Sequence, residues 1–402
     1  MRRDLPAAYR THLAELQDRA PARPWRGKIE RRVERELGGR WFRYLRAVRA
    51  DPVATASLAQ VHAAETHSGR RVALKVKLPG VDRQIAGDLG LLKAMASVAE
   101  ALFPALQVRW LVEEVQRGLE RELNFGEEAL NMVKCAEMFQ DNAEMFQDNA
   151  GVRVPQVLGK LCTDHLIAME FVDGVKPTDA SGLEALNVDR CDVADRLAEA
   201  HATMLFTHGL VHADLHPGNF LVQAGSRKFS WIPERVHERL AKRLRPASRR
   251  APRLVLLDHG LYLRLSDARR RALCKLWVSL AKRDPDGLRE ACRRLGAPEG
   301  LAGFHPLLFE GDAYAQARAW QAIPSRERAK LEEHIAACKE RGEVAAEALA
   351  FARSLGPDMV LLQRATTLLA CTSELICGGD GAQPAKRRLA IFARLAAEGA
   401  NR

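Results

Sequence analysis

The feature that most constrains this chain is a short polar loop between two apolar runs. Residues 212–219 read HADLHPGN, with LV before them and FLV after them. Apolar runs of this length, interrupted by Pro and Gly, predict two short strands joined by a loop. The loop places the carboxylate of Asp214 five positions before the carboxamide of Asn219.

A second acidic loop lies downstream, where the apolar run 254–257 ends in Asp258-His259-Gly260. In protein kinases, a loop aspartate accepts the proton of the substrate hydroxyl, and an asparagine five positions later holds magnesium. A further aspartate, in an Asp-x-Gly sequence after a strand, grips the metal between phosphates. The two patterns together predict a nucleotide site in which Asp214 is catalytic and Asn219 and Asp258 bind the metal.

The chain upstream supplies candidates for the other half of such a site. An apolar strand at 72–76 carries one lysine, Lys75, as in the kinase strand whose lysine contacts the α- and β-phosphates. Small residues stand before it where glycines would cover the phosphates: Ala54, Thr55, Ala56 and Ser57. Since alanine restricts φ more than glycine does, we expect a stiffer loop whose amides are less free to wrap a phosphate.

Residues 81–149 are predicted to be a long helical region, and a kinase needs one helix-borne glutamate to hold the lysine. Glu122 and Glu128 are the candidates. The apolar run from 166 ends in Glu170-Phe171-Val172, which resembles the hinge whose backbone bonds an adenine ring. Glu170 and Val172 are therefore candidate nucleotide contacts, although a plain buried strand would look the same.

The formal net charge of +11 over 402 residues predicts anionic partners, either a nucleotide or a phospholipid surface. Nucleic acid is not expected, because aromatic residues are only 6% and no basic stretch interleaves them. The eight cysteines form no C-x-x-C pair, which favours reduced, buried thiols over a zinc site or a disulfide framework. No stretch approaches the roughly 18 apolar residues of a membrane span. The N-terminus resembles neither a signal nor a transit peptide.

Three other segments carry expectations. Residues 7–50 are predicted to be a charged, solvated helical extension. The basic stretch 227–253 reads either as an amphipathic helix for an anionic membrane or, more simply, as a solvated insertion. The seven-residue sequence AEMFQDN occurs twice within 136–149, which favours a local duplication over a repeat architecture. From 264 to 402 the chain is predicted to be helical.

These residues together resemble the UbiB, or aarF-domain, atypical kinase family over nearly the whole chain. The motifs that carry the resemblance are the alanine-rich loop TASLAQVH at 55–62, VALK at 72–75, residues 122–131, HADLHPGN and DHG. LLDHGLY at 256–262 resembles the animal subgroup of members one and five, and is most like member five.

The resemblance implies an α+β, protein-kinase-like bilobed fold, helix-rich, with a small sheet-bearing lobe and a large helical lobe. It implies ATP and Mg²⁺ as cofactors, a link to mitochondrial lipid or quinone homeostasis, and a mitochondrial location. An anionic membrane surface or an isoprenoid lipid becomes a candidate partner. Carried over, Lys75 contacts phosphate, Glu128 pairs with it, and Glu122 is the first member of the family's Glu-x-Asp pair.

Apart from its basic insertion, the sequence departs from the family at two points. It begins just after the position of the family's N-terminal Lys-x-Gly-Gln helix, so we expect an upstream segment to be missing. Position 124 is Asn where the family has Asp, so one carboxylate near the metal is lost.

The expected organisation is a helical extension at 1–50, a kinase-like N-lobe at 51–170 with a helical insertion, and a C-lobe at 171–402 with a basic insertion at 223–253. The expected function is an atypical kinase or ATPase that binds Mg-ATP. Two alternatives stay open. One is a nucleotide-binding pseudokinase scaffold with weak catalysis, and the other is a small-molecule phosphotransferase of the choline or aminoglycoside type.

Overall fold

The computed structural model of the protein describes residues 22–103, 108–141, 151–225, 249–297, 313–341, 353–378 and 382–401. The chain divides into two compact units. Unit 1 takes in the chain up to Glu137 together with Val154–Asp173 and Leu257–Leu261. Unit 2 comprises Met138–Arg153, Gly174–Leu256 and Tyr262–Arg402.

The strands are numbered in chain order: β1 Leu45–Val48, β2 Ala54–Thr55, β3 Ala59–Thr66, β4 Arg71–Lys77, β5 Val152–Arg153, β6 Leu166–Glu170, β7 Leu210–His212, β8 Phe220–Ala224, β9 Pro252–Leu256 and β10 Tyr262–Arg264. The α-helices are α1 Glu30–Leu37, α2 Val81–Leu102, α3 Arg109–Glu122, α4 Phe125–Asp141, α5 Ala180–Ala185, α6 Arg190–Thr203, α7 Asp267–Lys282, α8 Pro285–Leu295, α9 Ala313–Ala322, α10 Ser325–Glu340, α11 Pro357–Cys377 and α12 Ala382–Ala400.

Unit 1 is organised around an antiparallel sheet of order β1-β3-β4-β6, with β2 paired to β3. In β4, Val72, Leu74 and Val76 point into a core shared with the N-terminal segment. Ala73 belongs to a second core that includes Phe125 of α4. Because successive side chains alternate between faces, Lys75 shares the face of Ala73 and so turns toward α4.

The N-terminal segment is part of the unit 1 core. Ile29 and Val33 are fully buried beside the sheet, and Leu45 lies in β1, which pairs with β3. The expectation of a solvated, wholly helical extension is therefore wrong for the described residues 22–50. Helix α1 is mostly charged, and the few apolar residues on its inner face are enough for it to pack. The prediction gave too much weight to the charges.

Unit 2 places two small sheets among helices. β9 pairs with β5 in parallel and with β8 antiparallel, and β7 pairs with β10. Among the described residues of unit 2, four helices begin at an acceptor side chain that the sequence supplies: Asp179 for α5, Asp189 for α6, Ser266 for α7 and Asp284 for α8. The described part of 264–402 is mainly helical, as expected. Phe392 of α12 packs on Phe206 and Trp277, with ring centroids 5.6 and 4.7 Å away.

Cysteine pairing differs from the expectation at one place. Cys191 of α6 and Cys377 at the end of α11 form a disulfide, with Cα atoms 4.7 Å apart. The prediction of reduced thiols is wrong for this pair, because residues 186 positions apart in sequence meet through helix packing. The other six cysteines form no disulfide in the described structure.

Within the described ranges, one helix, α11, is long and apolar enough to meet the criterion for a membrane span, which the sequence analysis did not predict. Of its 18-residue window, 44% is buried inside the protein. A core helix of a soluble protein meets the same criterion, so this is weak evidence for a span.

Candidate active site

The centre of the candidate site in unit 1 is an ion triplet in which Lys75 and Glu128 are buried and Asp258 is partly exposed. The Nζ atom of Lys75 lies 2.6 Å from Oε1 of Glu128 and 2.7 Å from Oδ2 of Asp258. Its ammonium also lies 5.4 Å from the ring centroid of Phe125. Three residues predicted from separate motifs are thus brought together. Glu128 follows Lys75 by 53 positions along the chain, and Asp258 follows it by 183.

Helix α4 positions the glutamate. Asn124 precedes the helix, and its Oδ1 accepts a hydrogen bond of 3.1 Å from the amide of Glu127. Asn is as good an N-cap as Asp, so the substitution at this position keeps the helix start while removing a carboxylate. Glu128 then faces β4 from the first turn of α4. Of the two candidate glutamates, Glu128 is the one that pairs with Lys75.

The Asp-x-Gly loop is fixed to the same helix. The amide of His259 donates to Oε1 of Glu128 at 3.2 Å, and the amide of Gly260 donates to Oδ1 of Asp258 at 3.0 Å. One turn further along α4, Asn131 donates to the carbonyl of His259 at 3.2 Å. Asn131 is a positioning residue that the motif reading did not single out.

The electrostatics of the triplet follow from one cation and two carboxylates. Burial by itself would lower the pKa of Lys75, but the charges of Asp258 and Glu128 outweigh it and raise that pKa. Burial raises the pKa of Glu128 to about 7, against the opposing effect of Lys75 and with a contribution from Asp258. Lys75 therefore stays charged, and the fully buried Glu128 takes up a proton more readily than a solvated glutamate does.

The catalytic-loop candidates lie in unit 2, between β7 and β8. Nδ2 of Asn219 donates to the carbonyl oxygen of Asp214 at 2.8 Å and to its Oδ2 at 3.2 Å. The other carboxylate oxygen, Oδ1, lies 3.3 Å from Nη2 of Arg364 on α11. Arg364 is a contact that no local motif indicates.

Two histidines hold the backbone of this loop. Nδ1 of the fully buried His212 accepts a hydrogen bond of 3.1 Å from the amide of Asp214. Its ring lies 5.0 Å from that of Tyr262 on the paired strand β10. Nδ1 of His216 accepts from the amide of Gly218 at 3.0 Å. Sequence reasoning named neither histidine, although both lie inside the HADLHPGN sequence.

The alanine-rich loop is a tight hairpin. Ala54 and Thr55 form β2 opposite Val61 and Gln60, and the amide of Ala56 donates to the carbonyl of Ala59 at 2.8 Å. The Ala56 amide is therefore already used within the hairpin. The side chain of Ser57 is exposed at the tip.

The hinge candidates follow β6. The amide of Glu170 donates to the carbonyl of Gln156 at 2.8 Å, and Phe171, next to it, lies under the guanidinium of Arg71. Glu170 and Val172 are partly buried. A role in adenine binding stays a prediction for both.

Two expectations lie largely outside the described residues. These are the amphipathic helix around Val236, Leu240 and Leu244, and the second copy of the AEMFQDN sequence. Within the described part of the chain, no group of three or more His, Cys, Asp or Glu side chains is suited to hold a metal ion.

Comparison with known proteins identifies the family. The family model described as the ABC1 atypical kinase-like domain matches residues 15–292. AarF domain-containing protein kinase 1 of Gallus gallus is 30% identical over 378 residues, which cover 94% of this chain and 65% of the relative. The Mus musculus protein of the same name is 33% identical over 319 residues, covering 79% and 54%. The chain thus spans less than two thirds of the length of these relatives.

A solved structure described as the Rv3197–erythromycin complex from Mycobacterium tuberculosis is similar, with a TM-score of 0.50 and 25% identity. The match covers 74% of this chain and 67% of that one. The expected kinase-like α+β fold class is confirmed. The relatives named above are member one, so the likeness to member five stays a prediction. The chain belongs to the ABC1, or AarF, family of atypical kinases.

Proposed function

We propose that the protein binds ATP with Mg²⁺ and transfers or hydrolyses its terminal phosphoryl group. The observation that supports this most is the contact of Lys75 with Glu128 and Asp258. Kinases need a charged lysine, held by a helix glutamate, next to a metal-binding aspartate.

The two carboxylates of the triplet would have different roles, because their exposure differs. The side chain of Glu128 is 2% exposed and that of Asp258 is 37% exposed. Glu128 is buried and holds Lys75 and the amide of His259, whereas Asp258 is exposed enough to reach a metal ion as well. Mg²⁺ is usually held by one or two protein oxygens, several waters and substrate phosphates. The partly exposed carboxylate of Asp258 fits that pattern.

In unit 2, Asp214 would accept the proton of the attacking hydroxyl or water. Asn219 would be the second metal ligand, because its Nδ2 is used on Asp214 and its Oδ1 is the atom left for a cation. Phosphoryl transfer depends chiefly on positioning and charge, so each of these side chains should matter.

Thermal unfolding with and without Mg-ATP tests the assignment. Mg-ATP should raise the melting temperature of the parent protein, and it should have little effect on Asp258→Ala or Asn219→Ala. Asp267→Ala is a matched control, because this aspartate is 76% exposed and belongs to none of the motifs. If Asp258→Ala is stabilised by Mg-ATP as strongly as the parent, the metal assignment is wrong.

A second candidate is a nucleotide-binding scaffold with little turnover. The observation that favours it is the Ala56 amide, which is bonded within the hairpin and so is not free to hold a phosphate. Release of inorganic phosphate from ATP separates the two candidates. Binding without release would favour the scaffold.

The cellular setting is proposed mainly from the family resemblance. We place the protein in the mitochondrion, in lipid or quinone homeostasis, with an anionic membrane surface or an isoprenoid lipid as partner. Exposed apolar side chains along α2 support a membrane surface: Leu91, Met95, Val98 and Leu102. Fractionation of cells that express the full-length protein would test the location.

A further inference from the structure

A basic cavity lies in unit 1, outside the triplet of Lys75, Glu128 and Asp258. It has a volume of about 460 Å³. Five of its seven lining residues are cationic, and none is acidic: Lys28, Arg31, Arg32, Arg35, Pro79, Gly80 and Arg83. Like charges gathered around one concavity repel one another and raise the local concentration of anions.

One cationic residue that lines the cavity, Arg32, is buried and lacks a full set of hydrogen-bond acceptors. Arg32 is only 9% exposed, and its Nε finds no hydrogen-bond acceptor in the described structure. Its one carboxylate neighbour, Glu36, is 3.6 Å from Nη1. Glu36 is shared, since Thr163 donates to it at 2.8 Å and His165 lies 3.4 Å from it. Burying a guanidinium whose hydrogen bonds are incomplete costs free energy of folding, unless a ligand supplies the missing acceptor.

The remaining cations are available at the rim. Lys28, Arg35 and Arg83 are exposed, and none of them makes a hydrogen bond or ion pair with another described residue. Arg31 donates through Nε to the carbonyl of Gly27 at 3.0 Å, which leaves its terminal nitrogens for a ligand.

Backbone adds to the positive field. Gly80, with φ of +89°, directly precedes the 22-residue helix α2, whose dipole favours an anion at this end. The acid of the first turn, Asp82, is paired with Lys77 at 2.5 Å and does not line the cavity. Arg32, the rim cations and the helix end therefore converge on one place.

We propose that this cavity binds a phosphate group, carried either by an anionic lipid headgroup or by a soluble phosphate compound. Arginine forks and a helix N-terminus both match the geometry of phosphate oxygens. The inference does not depend on nucleotide binding at Lys75.

Hydrogen exchange on the full chain gives a local readout. Sodium pyrophosphate is the soluble probe, and vesicles of phosphatidylcholine with one part in five phosphatidylglycerol are the lipid probe. Pure phosphatidylcholine vesicles are the uncharged reference. At least one anionic probe should slow exchange in residues 28–37 and 79–83 of the parent.

The test variant is Arg31→Gln, Arg35→Gln and Arg83→Gln together, which spares the buried Arg32. We expect its dissociation constant for the effective probe to rise at least tenfold. The control variant is Arg271→Gln, Arg326→Gln and Lys330→Gln, which removes the same charge from exposed positions in unit 2. It should bind as the parent does.

The outcomes are distinct. Protection by pyrophosphate indicates a soluble ligand, and protection by anionic vesicles alone indicates a lipid headgroup. The proposal is overturned if neither probe protects these segments, or if the test and control variants lose affinity equally. Because thermal stability with Mg-ATP is measured separately, failure here leaves the proposed function untouched.

Discussion

Nη2 of Arg364 lies 3.3 Å from Oδ1 of Asp214, although the two residues are 150 positions apart in sequence. The arginine is 59% exposed, and the aspartate is the candidate catalytic base. The contact therefore gives helix α11 a direct link to the catalytic loop. In stability terms, exposed pairs of this kind contribute only about 0–1 kcal/mol.

We predict that Arg364→Gln changes the free energy of unfolding by less than about 1 kcal/mol and lowers ATP turnover only modestly. Asp214→Asn should lower turnover by roughly 10²-fold or more, because it removes the base itself. Urea unfolding and phosphate release measure the two effects. A loss of turnover in Arg364→Gln as deep as that in Asp214→Asn would show that the arginine contacts substrate.

Lys75→Met should destabilise unit 1 by roughly 3–5 kcal/mol at neutral pH, because it leaves buried Glu128 without its cation. The double variant with Glu128→Gln should recover part of the loss, since no buried charge then remains. Urea unfolding of both singles and the double variant forms the cycle. Strictly additive losses would mean that the two side chains do not interact.

The loss of stability caused by Lys75→Met should depend on pH. Burial raises the pKa of Glu128 to about 7, and without Lys75 the glutamate should be protonated still more readily. A protonated glutamate has no buried charge, so the cost of Lys75→Met should shrink as pH falls from 8 to 5. An equal cost at both pH values would contradict this account.

The buried His201 should make the stability of the protein sensitive to acid. It is fully buried against Phe392, with neither ring nitrogen bonded in the described structure. Burial, assisted by the nearby His212, lowers the pKa of His201 from 6.5 to about 3. Between these values the unfolded chain binds a proton that the folded protein does not. Stability is therefore complete above pH 6.5 and is lost as pH falls toward 3.

His201→Leu should remove this dependence. Between pH 7 and pH 5 the parent should lose on the order of 2 kcal/mol more than the variant, since each unit of pKa difference corresponds to about 1.4 kcal/mol. Urea unfolding at both pH values is the measurement, with the exposed His67→Gln as control. Parallel pH profiles for parent and His201→Leu would refute the prediction.

Gln60 of β3 attaches the N-terminal segment to the sheet of unit 1. Its Oε1 accepts from the amide of Arg23 at 2.7 Å, and its Nε2 donates to the carbonyl of Arg23 at 2.9 Å. Gln60→Ala should cost about 1–3 kcal/mol and speed hydrogen exchange in residues 22–29. Gln84→Ala, an exposed glutamine on α2, is the control. Unchanged exchange in 22–29 would show that packing of Trp25 alone holds the segment.

How far the sequence predicted this protein depends on the range of each signal. The strands around HADLHPGN and DHG, the lysine strand and most C-terminal helices carry local patterns of hydrophobicity and turn residues. Glu128 could be narrowed to one of two glutamates. Contacts that involve residues outside the motifs were missed: Arg364 with Asp214, Cys191 with Cys377, and β1 with β3. Such contacts depend on packing and leave no periodic trace along the chain.

The hairpin bond from the amide of Ala56 to the carbonyl of Ala59 affects how strongly added salt should weaken nucleotide binding. A glycine-rich cover grips phosphate through many short-range dipoles, which dissolved ions screen only weakly. With that amide already engaged, the triphosphate would be held mainly by full charges, whose attraction falls as the Debye length shortens from about 10 Å at 0.1 M to 3 Å at 1 M. Nucleotide affinity of this protein should therefore decline steeply with ionic strength.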